Sequence, residues 1–277
     1  MQVDVVISGG SVEGICTATG FLRAVVDDLK HEIVSAAGNS AGGVVLGCHA
    51  SGMTPSAIES LIMDEDFSDY ANVPAWWNVP AIIRWFRRGW LADGKELETL
   101  LKKATGEKLF RDAAFDLRLA GSNYTRYKAD EFHRGTRPEM PLWLAMRITS
   151  CLPGAFKPIA FENCLWYDGG VRRHYPVDMV PVSDRPFYGW LLGEISHEST
   201  KPVDTRPGLV GVLTDYVDQS TDNNVQDAIE RSSRKPVTVS YDDAYVGTLD
   251  FSISRDEKKR LIELARKKTI EALGPKG

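Results

Sequence analysis

Long apolar runs, a basic leader and an excess of positive charge are all missing from this 277-residue sequence. The net charge is −5 and the pI is about 5.6, so we expect no nucleic-acid partner. The N-terminus has no basic segment followed by an apolar stretch of signal length, which favours a cytoplasmic protein. The longest stretch without Asp, Glu, Lys or Arg, residues 33–58, contains Gly, Ser, His and Pro, and so predicts a buried core segment rather than a membrane span.

Cysteine is scarce, and its spacing fits no metal site. The four cysteines are far apart and form neither Cys-x-x-Cys nor a Cys/His zinc pattern. We therefore expect buried free thiols in a reducing compartment, and no bound metal or cofactor. Repeats and low-complexity tracts are also absent, and 43% hydrophobic with 26% charged residues predicts one globular domain over residues 1–277.

The most informative segment is Gly-Asn-Ser-Ala-Gly at residues 38–42. A predicted strand at residues 32–35 leads into it, and a helix rich in small residues follows. Glycines on both sides allow a sharp turn that leaves the Ser40 hydroxyl accessible, as in a nucleophile elbow. These residues alone are equally compatible with a serine that only caps the helix.

Two further glycine-rich segments accompany the elbow. Residues 8–14 follow a predicted strand at residues 3–7 and open a helix predicted over residues 15–29, so their amides suit a phosphate or an oxyanion. Ser11 breaks the dinucleotide-binding glycine spacing, and no Gly-Lys-Ser/Thr of a P-loop follows. Asp168-Gly169-Gly170 ends a short apolar run, where the carboxylate could accept a proton from Ser40 or simply belong to a turn.

These three loops, in this order, resemble those of the patatin-like phospholipase family. Residues 50–55, 150–156 and 248–251 also look like its connecting segments, so the resemblance covers roughly residues 3–273. It implies an α/β fold with three layers (α/β/α), a mostly parallel central sheet, a serine elbow and an inserted helical cap.

The resemblance also implies a function. The family hydrolyses acyl esters of phospholipids or neutral lipids through a covalent acyl-enzyme, without metal, as a phospholipase A or lysophospholipase does. By correspondence, Ser40 is the nucleophile and Asp168 its only side-chain partner. The backbone of Gly9, Gly10 and Ser11 corresponds to the oxyanion hole.

Departures from the family pattern leave alternatives open. Glu13 stands near the position of a usual Lys or Arg; we expect it to point outward, so that Glu13→Lys leaves turnover within about tenfold. Glu13 is also the only support for a catalytically weak lipid-binding or scaffolding protein. A third alternative is a Ser-Asp-His triad of the α/β-hydrolase type, using His174 or His197, although only two predicted strands precede Ser40.

A tryptophan-rich segment suggests peripheral membrane contact. Within a candidate lid over about residues 66–110, the candidates for substrate or membrane contact are Trp76, Trp77, Trp85, Arg87 and Arg88. The alternative is a helix packed over the core with solvated arginines. Beyond the lid, strands are predicted at residues 115–121 and 186–192, and helices at residues 142–149, 226–233 and 255–273.

Overall fold

The computed structural model describes residues 1–70, 87–193, 225–241 and 251–275. Six helices are labelled in chain order: α1 (Ser11–Leu22), α2 (Ser40–Ala50), α3 (Pro55–Asp64), α4 (Lys95–Thr105), α5 (Leu142–Thr149) and α6 (Arg255–Leu273). Residues 225–231 are helical as well. The strands are β1 (Gln2–Ile7), β2 (Glu32–Gly38), β3 (Trp90–Ala92), β4 (Asp116–Asn123), β5 (Lys128–Phe132), β6 (Gly154–Phe156), β7 (Ile159–Phe161), β8 (Cys164–Asp168), β9 (Phe187–Leu192) and β10 (Val237–Tyr241).

A central, mostly parallel sheet has the order β10-β9-β1-β2-β4-β8-β7, with β5 also paired to β4. The strands from β10 to β4 run parallel, whereas β8 and β5 run antiparallel to β4. The carboxyl ends of β1 and β2 are therefore neighbours, with Ile7 level with Gly38. This register brings the two predicted glycine loops together.

Both faces of the sheet are covered. Along β1, Val3, Val5 and Ile7 join the large cluster formed with α1, α2 and α6, whereas Val6 joins a smaller cluster on the other face. That alternation is the two-residue period of a strand. The predicted α/β fold with helices around a mostly parallel sheet is confirmed.

The helix after the first glycine loop begins earlier than predicted. It starts at Ser11 and continues after Leu22 as a π-helical stretch, Arg23–Asp28. The predicted helices at residues 142–149 and 255–273 have the observed bounds. The four cysteines are buried free thiols.

The candidate lid falls partly outside the described residues, since residues 71–86 are not described. The described part of the candidate lid includes α4. This helix packs on the domain and is not a detached flap, because its Leu101 is buried in the main core. The short strand β3 pairs in parallel with β6. No helix in the described ranges has the length and apolar composition to cross a membrane.

Candidate active site

Ser40 lies at a sharp turn between β2 and α2. Its φ is 51°, in the left-handed region that side chains other than glycine adopt rarely. A Cβ on Gly42 would lie only 2.5 Å from the carbonyl oxygen of Ser8, so the close approach of α2 to the end of β1 requires glycine there. The turn has the geometry of a nucleophile elbow and leaves Ser40 partly accessible.

The residue before the nucleophile holds this turn in place. The Asn39 side chain is fully buried. Its Oδ1 accepts the Ala120 N–H at 2.7 Å, and its Nδ2 donates to the Arg173 carbonyl at 2.7 Å. Thr149 adds a second support, because its Oγ1 accepts the Ser40 N–H at 3.1 Å and donates to Asn39 Oδ1 at 3.3 Å. Asn39 therefore joins the elbow to β4 and to the loop after Asp168.

Asp168 is the last residue of β8, where it is 2% exposed. Its Oδ1 accepts the Gly170 N–H at 2.6 Å, and the Ser40 side chain also hydrogen-bonds to the carboxylate. Burial raises the pKa of Asp168 to about 7, against the opposing effect of these two hydrogen bonds. A carboxyl group beside a serine hydroxyl, with a pKa near neutrality, is suited to accept and return a proton.

The first glycine loop lies against the elbow. A Cβ added to Gly9 would lie 3.3 Å from Ser40 Cβ, and Gly10 has φ 139°, which favours glycine. The Gly9 N–H donates to the His174 carbonyl at 3.1 Å, so the expectation that this amide faces an oxyanion is corrected. The Gly10 and Ser11 amides stand at the N-terminus of α1, where helix geometry favours negative charge.

Glu13 does not point outward as expected. It is 2% exposed in the first turn of α1. The helix begins at Ser11 rather than near Ile15, and ten of its twelve residues are buried, so its first turn is enclosed by the protein at Glu13. Because a lysine there would also be buried, the prediction that Glu13→Lys is mild no longer has a structural basis.

His174 packs beside the same loop without joining Ser40 and Asp168 by a hydrogen bond. A Cβ on Gly9 would lie 3.1 Å from its Nδ1. Desolvation lowers the pKa of His174 to about 4, although its ring donates to the Leu192 carbonyl, which opposes that shift. The imidazole is thus neutral at physiological pH and already engaged. His197, the other candidate base, lies outside the described residues.

An apolar cavity of about 170 Å³ includes Ser40 and Asp168 in its lining. It follows α2 from Ser40 to Cys48 and is enclosed by apolar side chains of α3 and α4, among them Ile58 and Leu101. Phe251 closes one side, with its ring centroid 6.3 Å from that of Phe156. The site therefore combines a polar reacting end with an apolar compartment of the kind that encloses an acyl chain.

Comparison with known proteins agrees with this geometry. The family model described as patatin-like phospholipase matches residues 5–181. The chain belongs to the patatin-like phospholipase family.

The relatives and structural neighbours differ in how much they share with the chain. YqhO, an uncharacterized protein of Bacillus subtilis (strain 168), is 27% identical, and the alignment covers 97% of each chain. The probable lipid hydrolase 463L of invertebrate iridescent virus 6 is 24% identical over 63% of this chain and 61% of its own length.

Two solved structures share the fold. VipD of Legionella pneumophila has a TM-score of 0.57 and 14% identity, with 98% of this chain and 66% of VipD covered. For the type III effector ExoU the TM-score is 0.51 and the identity 16%, with 98% of this chain and 52% of ExoU covered. This patatin-like chain thus spans between about half and two thirds of those longer proteins.

The predicted site residues of this patatin-like protein divide into two groups. The structure brings together Ser40, Asp168 and the loop of Gly9, Gly10 and Ser11. Trp76, Trp77 and Trp85 lie outside the described residues. Arg87 and Arg88 are exposed and do not line the cavity; the Arg88 guanidinium lies 5.4 Å from the centroid of the Trp90 ring.

Sequence reasoning missed Asn39, Thr149 and the contribution of α4 to the cavity. A polar residue between the end of a strand and the nucleophile was a usable signal for Asn39. Thr149 had no such signal, because only the packing of α5 beside the elbow reveals its role. Within the described ranges, no group of three or more His, Cys, Asp or Glu side chains is placed to hold a metal ion.

Proposed function

We propose that this protein is a lipid acyl hydrolase of the phospholipase A or lysophospholipase type, with Ser40 as nucleophile and Asp168 as its proton acceptor. One observation carries the proposal: the elbow serine and the buried carboxyl group lie together in the lining of an apolar cavity. Family membership supports the same substrate class.

The reaction follows from the positions of these groups. Ionised Asp168 takes the Ser40 proton as Oγ attacks the ester carbonyl, and a tetrahedral oxyanion forms. The amides of Gly10 and Ser11 stabilise that charge at the start of α1. Asp168 then gives the proton to the departing alkoxide, which leaves an acyl-Ser40 ester. Water, deprotonated by Asp168, releases the fatty acid and restores the hydroxyl of Ser40.

The cavity supports a substrate with an apolar acyl chain. Its lining follows α2 for eight residues, which corresponds to about 12 Å at the helical rise. A chain of extended methylenes covers that length with about nine or ten carbons. We therefore place the fatty acyl group along α2, and the glycerol or headgroup side of the ester at the opening beside Val171.

A histidine triad has less support than the aspartate mechanism. The His174 ring donates to a backbone carbonyl, and a pKa of about 4 makes it a weak base. We therefore assign the proton transfers to Asp168 alone. His174 instead helps to place the first glycine loop, against which it packs.

Hydrolysis of mixed phospholipid vesicles, followed by mass spectrometry of the products, tests the proposal. We expect free fatty acid and lysophospholipid from the wild type, and no product above background from Ser40→Ala or Asp168→Asn. A folded wild type that releases no fatty acid from any lipid would instead favour a binding or scaffolding role on the same fold.

A further inference from the structure

A tyrosine patch lies on the surface beside the candidate site. Among the described residues, Tyr124 is 57% exposed, Tyr127 73% and Leu165 40%. The Tyr124 ring centroid is 6.0 Å from that of Tyr127 and 5.9 Å from that of Tyr167. We define the tyrosine patch as Tyr124, Tyr127, Leu165 and Tyr167; it is continuous, unlike exposed apolar residues scattered singly.

The patch is held in a fixed shape. Tyr124 and Tyr127 flank the turn of the β4–β5 hairpin, where the Arg126 N–H donates to Oδ1 of buried Asn123 at 3.0 Å. The Leu165 N–H donates to Thr125 Oγ1 at 2.9 Å, which joins the turn to β8. The rings therefore stay exposed on an ordered turn and do not fold back over the core.

Strand register places the patch beyond the edge of the sheet at which Ser40 lies. The Ala120 N–H bonds to Asn39, so Ala120 is level with the elbow. From there β4 continues through Asn123, and the turn begins four residues, or about 13 Å, further along the same direction. The cavity lining follows α2 from Ser40 to Cys48, and α2 ends near the start of β4, where the Ala114 N–H donates to the Ala50 carbonyl at 2.8 Å. The cavity therefore extends away from the patch.

The patch also connects with the cavity wall through Tyr167. Tyr167 precedes Asp168 in β8 and packs against the cluster formed by Cys151, Ala155 and Phe156. Phe156 lines the cavity. An apolar surface thus runs from the exposed Tyr127 to the wall of the candidate acyl compartment.

Charge on the turn indicates which partner it fits. Exposed Arg126 and Lys128 flank Tyr127. Lys128 pairs with Asp130 at 2.7 Å, whereas Arg126 makes no ion pair within the part of the chain that the structure describes. Tyrosine rings with a nearby arginine match the boundary between lipid headgroups and acyl chains, where an aromatic body is buried and its hydroxyl stays hydrated.

We propose that the tyrosine patch, with Arg126, docks on the surface of a phospholipid bilayer and holds the cavity opening against it. That this docking brings lipid substrate to Ser40 rests on the proposed function, but the docking itself does not depend on catalysis. Because the contact is small, we expect it to change the fraction of protein bound to vesicles and not the rate of ester hydrolysis.

Vesicle sedimentation of the full-length Ser40→Ala protein tests the docking without hydrolysis. With phosphatidylcholine–phosphatidylglycerol vesicles, we expect Tyr124→Ser/Tyr127→Ser to lower the partition coefficient roughly tenfold, because two exposed rings are lost from the contact. Arg126→Gln should weaken binding to these anionic vesicles but not to pure phosphatidylcholine.

A matched control carries the same kind of change away from the patch. Val182, five residues before β9, is 75% exposed, and Val237, the first residue of β10, is 55% exposed. The variant Val182→Ser/Val237→Ser should bind vesicles like its parent. Circular dichroism melting of each variant separates lost docking from lost folding.

The outcomes distinguish this inference from the proposed function. Unchanged vesicle binding by the folded tyrosine variant overturns the docking, even if the wild type hydrolyses lipid. Equal loss in the valine control also overturns it. The protein could instead self-associate through the patch without binding vesicles. Self-association that is detected by light scattering and abolished by the tyrosine substitutions would identify a second copy of the chain as the occupant. Patch-dependent binding by a protein that hydrolyses no lipid supports the docking and contradicts the proposed function.

Discussion

Asn39 donates a 2.7 Å hydrogen bond from its side chain to the backbone carbonyl of Arg173, across 134 positions of the sequence. The bond joins the residue before the proposed nucleophile to the loop that follows Asp168. The Asn39 side chain is fully buried, so water does not reach its amide to replace this bond. The distance between Ser40 and Asp168 thus depends on a side chain that itself takes no part in the chemistry.

Asn39→Ala should lower kcat about 10- to 100-fold on a soluble ester, since the elbow and the Asp168 loop lose their connection. The buried Ala120 N–H and the partly buried Arg173 carbonyl also lose their partner, at about 1–3 kcal/mol of unfolding free energy for each group left unsatisfied. Steady-state kinetics and urea unfolding measure the two effects. Asn123→Ala is the matched control: it removes another buried asparagine and should cost stability with little change in kcat. Equal kcat values for the two variants would contradict the account.

The pKa of Asp168 sets the expected pH dependence of activity. Since the proton acceptor must be ionised, kcat/KM should rise about tenfold per pH unit in acid and level off above the pKa. The midpoint should lie near pH 7, because burial raises the pKa of Asp168 to about 7. A pH–rate profile on a neutral soluble ester measures it. A midpoint near pH 4, the ordinary range of an aspartate, would show that the carboxyl group is not desolvated in solution.

The raised pKa of Asp168 also predicts that the free energy of unfolding falls as the pH rises, whereas activity increases. Because the pKa of Asp168 is raised in the folded state, folding favours its protonated form. The contribution of Asp168 to the free energy of unfolding is therefore complete below the pKa of the unfolded state and is lost as the pH rises through about 7. Asp168→Asn stays neutral at every pH. Its stability relative to the wild type should therefore grow between about pH 4 and pH 8, by on the order of a few kcal/mol, while activity is lost. Urea unfolding at both pH values tests this, and a constant difference would contradict it.

We expect Cys48 to limit the length of the proposed acyl compartment, because it is the residue of α2 farthest from Ser40 in the cavity lining. Cys48→Leu adds volume to the wall eight residues along α2 from Ser40, and should shift the preferred chain to an acyl group about two or three carbons shorter. Cys48→Ala should shift it the other way. A series of p-nitrophenyl esters of increasing length measures the preference. Cys164→Ala changes a buried cysteine that does not line the cavity and should leave the preference unaltered.

His174→Asn separates the aspartate mechanism from a histidine triad. Because the ring is neutral and bonded to the Leu192 carbonyl, we expect kcat to fall by no more than about tenfold and the pH midpoint to stay in place. Kinetics over a pH range measure both quantities. A loss as large as that of Asp168→Asn, or a shifted midpoint, would assign the proton transfer to His174.

Local sequence patterns predicted most of the elements that position the site. Apolar strands at residues 3–7 and 32–35, and the glycines next to them, predicted that each of two loops follows a strand. The parallel pairing of those strands in the structure places both loops at one edge of the sheet. The aspartate loop could be linked to them only through family resemblance, because β8 runs antiparallel and joins β4 far along the chain.

Other features depended on long-range packing. Glu13 is buried because α1 is packed on nearly all sides, with ten of its twelve residues buried, which a glycine-rich loop does not specify. The Gly9 amide was expected to be available, but the distant His174 carbonyl accepts it. That α4 forms part of the cavity wall could be seen only from the three-dimensional path of the chain, since the amphipathic pattern of a helix does not tell which surface its apolar face covers.

The most direct test of the central claim is covalent labelling with a fluorophosphonate probe, followed by peptide mass spectrometry to locate the adduct. The account predicts one adduct, on Ser40, in the wild type, and none in Ser40→Ala. It also predicts labelling at least about a hundredfold slower in Asp168→Asn, because the hydroxyl loses its proton acceptor. A folded wild type that never labels, or an adduct on another serine, would contradict the assignment of Ser40 as the nucleophile.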